Sequence, residues 1–207
     1  MVMQIDADKV SVDGPHGVLL EPTSLTLESG EVTVVAGIPG AGHTALSLVL
    51  SGRMAPDRGR VLVDGRSNNH RLRRITALVD VPEVCDPDEV LPLKTVVGEE
   101  LAIAQLPAGR SGVTHWLHEH DADELRNTRI EHLSGQFRIE MLTEMATHRP
   151  GIEALVVCCP DRYGTTYDQA LTVAQAAAAE GMAVCLQLTS PTVRSHEGLV
   201  WIGGVAA

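Results

Sequence analysis

Eight residues between two apolar runs constrain this chain more than any others. Val32-Thr33-Val34-Val35-Ala36 reads as a buried strand and Ala45-Leu46-Ser47-Leu48-Val49-Leu50 as a helix; between them stands Gly37-Ile38-Pro39-Gly40-Ala41-Gly42-His43-Thr44. Strand, glycine turn and helix in that order make a loop that curls around an anion and offers it backbone N–H groups at a helix N-terminus. Gly37, Gly40, Ala41, Gly42, His43 and Thr44 are therefore the candidate phosphate-binding residues. The lysine that normally reaches the terminal phosphates in such a loop is His43 here. An imidazole is shorter, and at its ordinary pKa it is mostly neutral at pH 7.

The rest of the chain extends the alternation of strands and helices. Residues 8–28 alternate apolar and polar positions and predict short antiparallel strands, separated by turns at Asp13-Gly14-Pro15 and Glu21-Pro22. Further strands are predicted at 60–63, 75–79, 154–159, 182–188 and, as an edge, 199–202. Between residues 84 and 132 the character changes: a helix-like stretch at 95–105, a loop at 107–112 and a polar segment at 115–131 predict a mostly helical insertion. Helices follow at about 135–148 and 168–179. Strands alternating with helices around a glycine loop predict an α/β fold with a mainly parallel sheet.

Composition narrows the functional classes. A chain of 207 residues is one domain of ordinary size, and with aromatics at 2% its core must be aliphatic. A net charge of −11 lacks the basic face that nucleic acid or an anionic membrane would require. No apolar run reaches the roughly 18 to 20 residues that span a bilayer, and the first residues do not form a signal peptide, so a cytoplasmic protein is expected. The four cysteines, 85, 158, 159 and 185, form no C-x-x-C pair, and three lie in apolar runs, which predicts reduced core thiols. His115, His118 and His120 invite a zinc reading, but their spacing suits a polar helix surface better; Asp121 to Glu124 reads as a solvated helix start.

The order and spacing of several segments resemble the ATP-binding subunit of an ABC transporter over nearly the whole chain. Ser24-Leu25-Thr26-Leu27-Glu28-Ser29-Gly30-Glu31 resembles that family's approach to its Walker A loop, and Pro56-Asp57-Arg58-Gly59-Arg60-Val61-Leu62-Val63-Asp64-Gly65 the segment after it. Val81-Pro82-Glu83 stands where the family has its Q-loop, and Leu133-Ser134-Gly135-Gln136 resembles the LSGGQ signature, with the second glycine either deleted or replaced by Gln136. The resemblance implies one P-loop NTPase-like domain over residues 1–207: a mainly parallel sheet flanked by helices, an N-terminal antiparallel portion, and a helical subdomain at 84–148.

The same resemblance implies that most catalytic positions are altered. The family's magnesium-holding aspartate and water-polarising glutamate match Cys158 and Cys159, its Q-loop glutamine Glu83, and its switch histidine Thr189. A thiol is a poor ligand for magnesium and a poor general base. The adenine-stacking aromatic has no counterpart between Val10 and Val18, and residues 161–168 only loosely match the family's dimer-contacting loop. ATP and magnesium are the ligands the family implies, both weakened here, and no metal site or catalytic residue is assigned. The expectation is a catalytically impaired ABC-type subunit, peripheral at the inner face of the plasma membrane. It would pair as a homo- or heterodimer with an active ATPase or dock on a membrane permease, lending Ser134 and Gly135 in trans. An ATP-binding subunit with residual hydrolysis and a soluble regulatory or scaffold protein on the same fold are the other two readings.

Overall fold

The computed structural model describes residues 2–189, 193 and 197–204. Two sheets divide the molecule. Strands β1 (Gln4–Gly14), β2 (Gly17–Glu28) and β4 (Arg58–Val63) form an antiparallel sheet in the order β2-β1-β4. Strands β3 (Val32–Ala36), β5 (Thr76–Val79), β6 (Ala154–Cys158), β7 (Ala183–Leu188) and β8 (Val200–Trp201) form a parallel sheet in the order β5-β6-β7-β3-β8. The expected α/β architecture is therefore observed.

Side-chain alternation gives the parallel sheet two buried faces. On β7, Val184, Leu186 and Leu188 face one core, while Ala183 and Cys185 face the other; β6 divides Leu155 and Val157 from Val156 and Cys158 in the same way. The first core is closed by α3 (Leu93–Ile103), α4 (Arg110–Glu119), α5 (Gly135–Thr147) and α6 (Tyr167–Ala179). The second is closed by α1 (His43–Leu50), α2 (Asn69–Ile75) and the antiparallel sheet. Local chemistry sets the helix starts: Ser134 accepts from the Phe137 amide at 3.2 Å, Asn68 from the Arg71 amide at 2.9 Å, and Thr166 with Gln169 forms a capping box.

Several boundaries differ from the sequence reading. Glu21-Pro22 makes no turn; β2 runs through it, because β2 is an edge strand and proline's missing N–H faces no partner there. Helix α2 was not expected, and Ile75 is its last residue rather than the start of β5. Part of the expected loop at 107–112 is the first turn of α4, which begins at Arg110. Residues 121–124 lead only into a 3-10 turn, Asp123–Leu125. The edge strand is shorter, Val200–Trp201. His118 pairs with Asp123 at 3.0 Å, whereas His120 leaves the polar surface: its ring stacks on Trp116, with centroids 3.9 Å apart, and reaches Glu144 of α5 at 2.8 Å. Among the described residues no three His, Cys, Asp or Glu side chains converge to hold a metal, and no helix is long and apolar enough to cross a membrane.

A buried ionic cluster fastens the sheet to its helices. The Asp80 and Arg138 side chains are 1% and 2% exposed, and the Arg138 fork bonds the carboxylate through Nε at 3.1 Å and Nη2 at 2.8 Å. Arg162 Nη2 donates to the Asp80 carbonyl at 2.5 Å and lies 3.2 Å from its Oδ1. The Tyr163 ring lies 3.8 Å from the Arg138 guanidinium carbon and its hydroxyl accepts from Nη2 at 3.1 Å. The end of β5, helix α5 and the turn after β6 are thereby tied at one point. Removing one member of a buried pair strands the other charge, at a cost of about 3–5 kcal/mol. Asp80→Asn should therefore destabilise the protein more than Arg138→Met, because Asp80 faces two guanidinium groups while Arg162 still covers Asp80 when Arg138 is removed. Urea unfolding at neutral pH checks the order of the two midpoints.

Candidate functional site

The glycine loop emerges from the centre of the parallel sheet. β3 lies between β7 and β8, and the Gly37 amide donates to the Leu188 carbonyl at the end of β7, at 3.2 Å. Gly40 and Gly42 have φ of 87° and 107°, the left-handed region that side chains disfavour. At Gly42 space is also decisive: a Cβ would stand 2.2 Å from the Leu19 carbonyl oxygen of β2. Unlike the capped helices, α1 has no side chain on its first amides. No intramolecular hydrogen bond engages the amides of Gly40, Gly42, His43 and Thr44 among the described residues, so these donors are free for an anion.

The loop borders a cavity of about 440 Å³, a size suited to a small-molecule ligand. Gly40, Gly42, His43 and Thr44 form one wall, and Cys158, Cys159, Arg162 and Thr189 face it from the ends of β6 and β7. Leu19, Leu48, Met54 and Pro82 complete a largely apolar lining. The structure thus brings together four of the expected loop residues with Cys158, Cys159 and Thr189. Gly37 and Ala41 belong to the loop without lining the cavity, and Glu83 is exposed, with a positive φ of 60°, outside the lining. The signature segment Leu133 to Gln136 does not line the cavity: Ser134 caps α5, Gly135 packs against the Tyr163 backbone, and Gln136 accepts from Gln169 at 2.7 Å.

Three side chains decide the chemistry. His43 does not extend as a lysine would; its ring folds against Gly37, and Nε2 meets the Leu188 carbonyl at 3.2 Å. A carbonyl only accepts, so Nε2 carries the proton and donates. Burial pushes the His43 pKa below its ordinary value of 6.5, opposed by the Leu188 hydrogen bond and the Asp161 charge, so the ring is neutral. Cys158 and Cys159 are neighbours in the chain and both are buried. Donation from Cys159 draws the Cys158 pKa down, despite burial, and the same bond together with burial pushes Cys159 up. Cys185, on β7, is pushed up to about 12 by burial. Cys159 itself sits at φ 49°, which aims the following turn so that Asp161 Oδ2 accepts from the Thr189 amide at 2.9 Å and its hydroxyl at 2.5 Å.

A family model described as ABC transporter matches residues 20–152. The chain belongs to that family. It carries an ABC nucleotide-binding domain. Among curated proteins, the chain is 31% identical over 115 residues to an arabinose import ATP-binding protein of Rhizobium johnstonii, covering 56% of this chain and 22% of that protein. It is 41% identical over 68 residues to a hemin import ATP-binding protein of Pseudomonas putida, covering 30% and 27%. The chain therefore spans about a quarter or less of the length of these relatives. In solved structures, an ATP-binding subunit of an ABC transporter matches with a TM-score of 0.62 at 19% identity, over 95% of this chain and 87% of that one. A bacterial Atm1-family ABC exporter with ATP bound matches with 0.66 at 17% identity, over all of this chain and 38% of that one. These two show a shared fold.

The lining does not suit the magnesium ion that accompanies nucleotide in this family. A hard dication seeks about six oxygen ligands, carboxylates above all. Among the described residues the lining offers the Thr44 and Thr189 hydroxyls, two thiols, a neutral imidazole and a guanidinium, and no carboxylate.

Sequence reasoning missed Arg162, Asp80 and Arg138. A signal existed for two of them: Asp80 interrupts the apolar run Leu78-Val79-Asp80-Val81, and Arg138 lies on the face of α5 that carries Ile139, Met141, Leu142 and Met145. Arg162 has no comparable pattern around it. The neutral His43 has a consequence for stability. Above pH 6.5 the ring is neutral in both folded and unfolded chains; below it the unfolded chain takes up a proton that the folded ring refuses, so stability falls with pH. His43→Gln, which keeps a donor for Leu188, should show a shallower loss between pH 6.5 and about 5. Tryptophan-monitored urea midpoints across that range check the difference.

Proposed function

We propose that the chain is a catalytically impaired ATP-binding subunit of an ABC transporter, acting beside a competent ATPase and docked on a permease at the cytoplasmic face. The observation that supports this most directly is the pair Cys158 and Cys159 in the cavity wall opposite the glycine loop. Hydrolysis there needs a group to hold the metal and a base or water-orienting group in line with the phosphate. Cys159 remains protonated, held up by its bond to Cys158 and by burial, and cannot take a proton from water. Thr189 turns its hydroxyl to Asp161, so that proton is not directed at a phosphate. His43 brings no charge to the loop.

The signature end of α5 supports a role toward a partner. Ser134 and Gln136 are exposed, and Gly135 begins a helix of 13 residues, so backbone N–H groups at an exposed helix N-terminus can complete a nucleotide site on an opposing subunit. The relatives named as import ATP-binding proteins, together with one named as a mycobactin import ATP-binding/permease protein, support pairing with a permease.

Phosphate release from Mg-ATP tests the catalytic part. The protein alone should remain at the no-enzyme background, since a positioned base by itself contributes roughly 10²–10⁴-fold. The combined variant His43→Lys, Cys158→Asp, Cys159→Glu should release phosphate. Steady turnover by the unsubstituted chain would refute the reading.

A further inference from the structure

Successive residues of a strand point to opposite faces of the sheet, and β6 obeys this rule up to its end: Leu155 and Val157 face one core, Val156 and Cys158 the other. Continued alternation would send Cys159 to the side of Val157. Instead it joins Cys158, in the same core and in the lining of the same cavity. The cause is its backbone. Cys159 leaves the extended region for φ 49° and ψ 57°, while its amide still donates to the Gln187 carbonyl of β7 at 2.9 Å. Two adjacent thiols are thereby turned toward one space.

Spacing decides what two such thiols can hold. Adjacent Cα atoms across a trans peptide are about 3.8 Å apart, whereas cysteines joined by a disulfide usually stand about 4.4–6.8 Å apart. A direct sulfur–sulfur bond is therefore disfavoured, and both cysteines are free. A soft atom inserted between the sulfurs lengthens the bridge and removes that constraint. It must be satisfied by two protein ligands, because no third His, Cys, Asp or Glu converges on the pair among the described residues, and His43 commits Nε2 to the Leu188 carbonyl. Leu19, Leu48, Met54 and Pro82 supply an apolar lining for an organic substituent, and the exposed Leu19, Pro39 and Gly40 mark where the cavity of about 440 Å³ meets solvent.

We propose that Cys158 and Cys159 form a dithiol site for a trivalent organoarsenical, R–As(OH)2, whose arsenic bridges the two sulfurs while R lies against the apolar lining. Two S–H bonds and two As–O bonds break, two As–S bonds form, and the hydrogens leave with the hydroxyls as two waters. Arsenic stays trivalent, so no oxidant or reductant is needed. The carbon substituent fills the third coordination position that the protein leaves open. Cys185 packs in the same core but lies outside the cavity lining, and Cys85 also lies outside it. The inference is independent of whether the loop binds nucleotide.

The probe is phenylarsine oxide, added at one equivalent to the native chain. Intact mass spectrometry should show one adduct per chain, a phenylarsenic group gained for two hydrogens lost, and peptide mapping should place it on Cys158 and Cys159. The adduct should be removed by 2,3-dimercaptopropanol and resist the same thiol concentration of 2-mercaptoethanol. Cys158→Ser and Cys159→Ser should each abolish it; Cys85→Ser and Cys185→Ser should retain it. A pair of neighbouring cysteines can also react in an unfolded chain, and thermal melting separates the two cases. A ligand seated in the folded cavity raises the melting temperature, here by at least about 2 °C, whereas one that captures the opened chain lowers it. Mapping on the unsubstituted protein keeps the test valid if a serine variant fails to fold. No adduct, an adduct bridged through Cys85 or Cys185, or an adduct that lowers the melting temperature would each overturn the proposal.

Discussion

The structure depends on one buried carboxylate. Asp80 follows the last residue of β5 with a positive φ of 56°, which turns the chain out of the sheet while the side chain stays inside. Through it, Arg138 fixes the first turns of α5 and Arg162 fixes the turn after β6. An ion pair so nearly free of water gains from low dielectric only when its geometry is good, and the two-pronged Arg138 contact provides that geometry. Three segments that border the cavity or carry the signature are thus held in one arrangement by charge rather than by apolar packing. Apolar contacts tolerate small slides; a bidentate fork does not.

This cluster also explains why Arg162 reaches the cavity wall. Tyr163 underlies both guanidinium groups, at 3.8 Å from Arg138 and 4.7 Å from Arg162, so the two cations share one aromatic face and one carboxylate. The turn that presents Arg162 begins at Cys159, whose left-handed conformation lets Pro160 start a 3-10 turn directly from β6. Thiols, turn and guanidinium form one unit.

The fold was legible because its signals were periodic. Alternation within β6 and β7, the glycine loop between β3 and α1, and the order of motifs were enough for the α/β class and the family. What was illegible depended on partners distant in sequence. Pro22 read as a turn because local chemistry cannot reveal that β2 is an edge strand. Helix α2 was hidden by its length of seven residues and by Arg71, Arg73 and Arg74, which leave few apolar positions to form a period. His120 read as one of three surface histidines, yet Trp116 one helical turn before it and Glu144 on α5 draw it inward. At the cavity, the positions of Cys158, Cys159 and Thr189 could be expected from the family resemblance, whereas Arg162 could not. Its role depends on Asp80, which lies 82 residues earlier in the chain.

The site is best described by the groups that stand where a metal and a base would be needed. In a magnesium-dependent phosphate site, carboxylates and lysine carry opposite charges, and the metal mediates between protein and nucleotide. Here the residues at those positions are thiols and a neutral imidazole, and the charges beside them, Arg162 paired with Asp80 and Asp161 bonded to Thr189, both come from the turn after β6. A lysine at the head of α1 would add a second cation beside the free amides and close to Arg162, whereas the imidazole gives its proton to Leu188 and adds none. Replacing His43 alone would therefore not rebuild the magnesium site, because among the described residues no carboxylate lines the opposite wall.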